Sequence, residues 1–153
     1  FERLEHRIAE AENKIDFFVR TSLPPVEGIF YDGQMLEPFE FINRLVRSAK
    51  KRIVLIDNYV DDTVLLRLAE RGKKVSATIF TQNTSPSFFL AIEKYNKQFA
   101  PITVHKFAKS HDRFLIIDQD VYHIGASIKD LGKRWFAFCK MQLNADEMID
   151  KII

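Results

Sequence analysis

The stretch SHDRFLIIDQDVYHIGASIKDLGK, running from Ser110 to Lys133, sets the frame for the whole chain. Its first apolar run, Phe114 to Ile117, is bracketed by polar residues, His111 and Arg113 before it and Asp118 after it. A second run, Val121 to Ile124, follows the tight connection Asp118-Gln119-Asp120, and the pair predicts a β-hairpin. Alternate side chains of a strand share a face, so His111 and Arg113 point the same way.

Outward from the hairpin the chain alternates between strand and helix patterns. Upstream, Ile102 to Lys106 reads as a strand, Ser85 to Gln98 as a helix with Ser85 as N-cap before Pro86, and Lys74 to Thr81 as a strand. Asp61 to Arg71 reads as a helix that stops at Gly72, and Arg52 to Asp57 (RIVLID) as a strand apolar enough to be buried on both faces. Glu37 to Ala49 reads as a helix with Phe41, Leu45 and Val46 on one face, and Ile29 to Tyr31 as a short strand ending at Asp32-Gly33. Downstream, Trp135 to Leu143 is a last strand and Ala145 to Ile153 a terminal helix. This order predicts an α/β domain over residues 28–153, a mixed, mostly parallel sheet flanked by helices.

Residues 1–20 form a separate amphipathic pattern. Leu4, Ile8, Ala11, Ile15 and Phe18 fall at alternating four- and three-residue spacing, as on a coiled-coil seam. Such a helix either pairs with a second copy or packs on its own domain. Residues 21–27, with Pro24 and Pro25, read as a linker.

Composition narrows the function classes. Hydrophobic residues make up 46% of the 153, enough for a core, and no run approaches the roughly 20 apolar residues of a membrane span. Cys139 is the only cysteine, which excludes an intrachain disulfide and a cysteine-based zinc site, and no metal-ligand spacing links the four histidines. The net charge of +2 is mild, but basic residues gather locally. Arg44, Arg47, Lys50, Lys51 and Arg52 form one set; Lys106, Lys109 and Arg113, followed by Lys129, Lys133 and Arg134, form another. Each set is either a solvated face or a surface for a polyanion. The absence of a signal peptide and an opening on Phe1 suggest a fragment of a longer cytoplasmic protein with an upstream domain.

In a sheet of this kind polar groups collect at the carboxyl ends of the parallel strands, here Asp57-Asn58-Tyr59 and Thr81-Gln82-Asn83. The hairpin adds a recognisable spacing. His111-x-Arg113-x4-Asp118, then six residues, then Gly125, resembles the phospholipase D superfamily pattern His-x-Lys-x4-Asp-x6-Gly-Ser-x-Asn. The resemblance implies half of a site that two copies complete across a two-fold axis, without metal or cofactor. One histidine attacks the phosphodiester phosphorus and the other protonates the leaving oxygen. An imidazole changes charge near neutral pH, so both forms are reachable.

Carried over, the resemblance makes His111 nucleophile or proton donor, Arg113 a phosphate grip in the place of lysine, and Asp118 the residue that orients a histidine. Ser127 would donate to phosphate, with Lys129, Lys109, Asn58 and Tyr59 as substrate-binding neighbours. His6, His105 and His123 read as structural. Two departures stand out: Arg113 replaces lysine, and Gly125-Ala126-Ser127-Ile128-Lys129 shifts the serine by one and lacks the asparagine. The expectation is a homodimeric, metal-independent phosphodiesterase acting on nucleic acid rather than at a membrane. The alternative is a non-catalytic nucleic-acid-binding or dimerisation module. The plainest reading of His111, Arg113 and Asp118 is a surface ion-pair set that ends a hairpin.

Overall fold

A computed structural model describes residues 3–7, 26–34 and 36–152. Residues 3–7 are helical. The rest of the expected 1–20 helix, with Ile8, Ala11, Ile15 and Phe18, and most of the expected linker lie outside the described residues.

The strands are β1 (Glu27–Phe30), β2 (Arg52–Ile56), β3 (Ser76–Thr81), β4 (Ile102–Lys106), β5 (Arg113–Ile117), β6 (Asp120–Ile124) and β7 (Phe136–Met141). The helices are α1 (Leu36–Ser48), α2 (Asp62–Leu68), α3 (Pro86–Gln98) and α4 (Ala145–Ile152). A single sheet runs in the order β1-β7-β6-β5-β2-β3-β4. It is mixed: β2, β3 and β4 pair in parallel, and the other four neighbour pairs are antiparallel. Five strands nevertheless point one way, since only β5 and β7 run against the rest. The β5–β6 hairpin is in place, with Ile117 paired to Asp120 across the two-residue connection Asp118-Gln119.

Helices α1, α2 and α3 cover one face, where Ile53, Leu55, Ile79, Leu115 and Tyr122 meet Phe41, Leu45, Val64, Leu68 and Ile92. The other face holds a smaller core, where Val54, Ile116 and Val121 pack under α4 through Ala145, Met148 and Ile149. Strand β2 is therefore apolar throughout its last four residues because both its faces are covered. Each aliphatic side chain so buried is worth about 1.5–3 kcal/mol. Four phenylalanines cluster near β1 and β7, where the Phe41 and Phe138 ring centroids are 4.1 Å apart and Phe30 contacts Phe136 and Phe138.

Candidate functional site

Strand register brings three segments to one end of the sheet. Ile56 of β2 pairs with Phe114 of β5, so Asp57 and Arg113 come next to each other just beyond that pair. Arg113 in turn pairs with Ile124, so Gly125 to Ser127 emerges beside it. Gly125 is required by close approach: a Cβ there would come within 3.0 Å of the Ala137 carbonyl oxygen of β7, to which the Gly125 amide donates at 2.8 Å.

Asp57 is fully buried and ties these segments together. Its Oδ2 accepts from the Ser127 hydroxyl and from the Ile128 amide, both at 2.9 Å, while Oδ1 accepts from the Tyr59 amide at 3.0 Å. Burial pushes this carboxyl above the ordinary aspartate value; the amides of Ile128 and Tyr59, the Ser127 hydroxyl and the Arg113 charge oppose that without overcoming it. Asn58 fixes the facing loop by donating through Nδ2 to the Ser110 carbonyl at 2.7 Å.

Arg113 is a central cation of the site. Among the described residues no carboxylate forms an ion pair with it, and its Nε is buried without a hydrogen-bond partner. Its guanidinium lies 5.7 Å from the Tyr59 ring centroid. Two open depressions meet at this residue. One, of about 350 Å³, is lined by Asn58, Tyr59, Gln82, Lys109, His111 and Arg113, among others. The other, of about 430 Å³, is lined by Arg113, Gly125, Ala126, Ser127, Asp130, Lys133, Arg134 and Trp135.

His111 stands fully exposed at the rim. Its Nδ1 lies 3.3 Å from Asp112 Oδ1, and the second oxygen of Asp112 lies 3.3 Å from His123 Nε2. The His111 hydrogen bond is the largest influence and, with the two contributions of His123, holds the Asp112 carboxyl below its ordinary value against desolvation. His123 is set against Phe114, ring centroids 5.6 Å apart. An Nδ1–H directed at Asp112 leaves Nε2 of His111 as the lone-pair nitrogen facing outward.

Several expected roles change. Asp118 lies at the other end of β5 from His111 and is a structural cap, too far along the strand to orient that histidine. Its carboxylate accepts from the amides of Lys50, Lys51 and Arg52 at 2.9, 2.7 and 3.0 Å. The Ser127 hydroxyl is buried and committed to Asp57, so it positions its loop rather than donating to a ligand. Lys109, Asn58 and Tyr59 do line the His111 depression, whereas Lys129 sits on the short 3-10 turn Ile128–Asp130 and lines neither depression. The basic set at 44–52 leads into the amino end of β2, away from the site, with Arg47 paired to Glu70 and Arg52 to Asp146. Sequence reasoning missed Asp57 as the anchor of the loop and the Asp112–His123 pair. An acidic residue ending a wholly apolar strand was the one signal for Asp57.

No family model matches the chain, and neither does any curated protein. Solved structures do match in fold. TrmBL2, an archaeal chromatin protein described as showing a novel mode of DNA binding, aligns at 13% identity and a TM-score of 0.55 over 99% of this chain. NucT from Helicobacter pylori aligns at 10% identity and a TM-score of 0.57 over 82%. Polyphosphate kinase from Porphyromonas gingivalis aligns at 8% identity and a TM-score of 0.61 over 82%. The chain spans 62% of the TrmBL2 structure, 90% of NucT and 26% of the kinase. At these identities the likeness is one of fold: the chain has a mixed α/β sheet of the phospholipase D-like kind. No helix among the described residues is long and apolar enough to cross a membrane.

Proposed function

We propose that this domain is a phospholipase D-like half-site that grips the phosphodiester backbone of nucleic acid at Arg113 and hydrolyses it, without metal, when a second copy supplies the other histidine. The observation that carries this reading is the Arg113 guanidinium: unpaired, with a buried donor left over, at the meeting point of two open depressions. A buried donor without a partner is costly, and an anionic oxygen is the group that best satisfies it. Arginine can hold two phosphate oxygens at once, which suits an anchoring role.

His111 supplies the chemistry. Its Nε2 attacks phosphorus, the bond to the leaving oxygen breaks, and the imidazolium of the partner copy gives that oxygen its proton. Water, losing a proton to the same partner imidazole, then displaces the phosphoryl group from His111. Asp112 holds the attacking ring in one tautomer, and His123 holds Asp112 from its far side. Full exposure of His111 in one chain fits a residue that a second chain covers. The DNA-binding description of TrmBL2 supports nucleic acid as the polymer. The commitment of Ser127 to Asp57 favours the second reading, a module that binds without cutting.

The test is cleavage of labelled single- and double-stranded DNA in EDTA by the wild type and by His111→Ala, with binding measured in parallel for Arg113→Ala. Expected are loss of cleavage in the first variant and at least about tenfold weaker binding in the second, the range for a lost charge-assisted pair. Binding without cleavage by the wild type establishes the module reading; no binding at all overturns both.

A further inference from the structure

We propose that the site takes an unpaired strand, with one base on each side of the phosphate: one stacked on Trp135, the other on Tyr59. This rests on the phosphodiester reading above and names its substrate class. A phosphodiester has a nucleoside on each side of its phosphorus, and Arg113 has a depression on each side of it. Each depression carries one strongly exposed aromatic ring, Tyr59 at 58% and Trp135 at 63% relative exposure.

Trp135 is exposed but firmly mounted. Its indole Nε1 donates to Asp32 Oδ1 at 2.6 Å, and the Tyr31 ring lies perpendicular to it with centroids 4.7 Å apart. These partners come from the far end of the chain, just after edge strand β1, and they hold the ring without covering it. A ring anchored at its Nε1 edge and still largely exposed can be stacked on at little further entropic cost, which is what a stacking platform needs. Beside it the depression is cationic on balance: Lys133 is paired with Asp130 at 3.0 Å, which leaves Arg113 and Arg134. Tyr59 is held by its own amide, which donates to Asp57, and its ring lies under the Arg113 guanidinium.

Bases inside a duplex are stacked on one another and cannot reach either ring. Aromatic faces flanking a phosphate grip therefore select a single strand, whatever its sequence.

Trp135 is the only tryptophan of the chain, so its fluorescence reports stacking directly. The experiment titrates the full chain, in EDTA and low salt, with a single-stranded oligodeoxynucleotide, its duplex, and an abasic strand of equal length and charge. The His111→Ala protein is used so that no strand is cut. Anisotropy of the labelled strands follows binding. Quenching by the single strand alone, with binding about 5- to 150-fold weaker in Trp135→Leu and largely restored in Trp135→Phe, is the expected result. Equal binding of all three strands without quenching overturns the stacking inference and leaves the phosphate reading intact. If none of the three strands binds, both fail.

Discussion

At Asp57 burial is the dominant influence on the carboxyl, raising it, while the amides of Ile128 and Tyr59, the Ser127 hydroxyl and Arg113 pull the other way. A carboxyl raised on folding contributes stability that is full below the unfolded value and lost as pH rises through the folded one. Asp118 behaves oppositely. Burial alone would raise it, but the amides of Lys50, Arg52 and Lys51 and the Lys51 charge together bring it below the ordinary value. Its contribution is present above the unfolded value and lost as pH falls through the folded one. Urea unfolding across a pH series should therefore show Asp57→Asn abolishing a decline of stability above the ordinary carboxylate range; an unchanged slope would refute the assignment. Asp57→Ala strands the amides of Tyr59 and Ile128 and should cost roughly 2–4 kcal/mol at neutral pH.

Among the elements, the hairpin was the most legible. The bounds of β4 and β5 and the cap of α3, where the Ser85 hydroxyl accepts from the Phe88 amide, follow from apolar runs and local turn chemistry. Helix α2 was read too long, to Arg71, because that arginine leaves the helix pattern for a purpose set elsewhere. Its buried guanidinium donates to the carbonyls of Leu68, Val75, Ala100 and Pro101 and to the Tyr95 hydroxyl, closing the gap between α2, α3 and β4. Local spacing located His111 and Arg113 but assigned Asp118 by analogy, and its actual partners are more than 60 residues away. The Asp112–His123 contact depends on pairing across the hairpin, which spacing alone does not reveal. Asp118 also has a positive φ of 54°, a region aspartate tolerates better than most residues. Asp118→Ala should lose about 2–4 kcal/mol through the missing acceptors and the backbone cost, and Asp118→Gly should recover about 1 kcal/mol of that. Equal stability of the two variants in urea unfolding would mean that the backbone conformation contributes nothing.

For the molecule as a whole, the proposed function has seven strands deliver one histidine of a pair, so activity should depend on association. If two chains complete the site, specific cleavage activity falls on dilution in step with the dimer fraction seen by sedimentation. Constant specific activity at concentrations where the chain is monomeric would exclude the two-chain mechanism. The overall charge of +2 gives little long-range attraction, so the few cations around Arg113 have to act at short range.

The Asp57 clamp also has a kinetic meaning. It joins residues 70 and 71 positions apart, and a loop of that length has to close before the clamp returns anything. We therefore expect Asp57→Ala to speed unfolding more than it slows refolding, which a chevron in urea would show. The proposed phosphate grip would then be a property of the completed fold alone: a chain still folding, or one opened locally at this end of the sheet, would have no place to hold a strand.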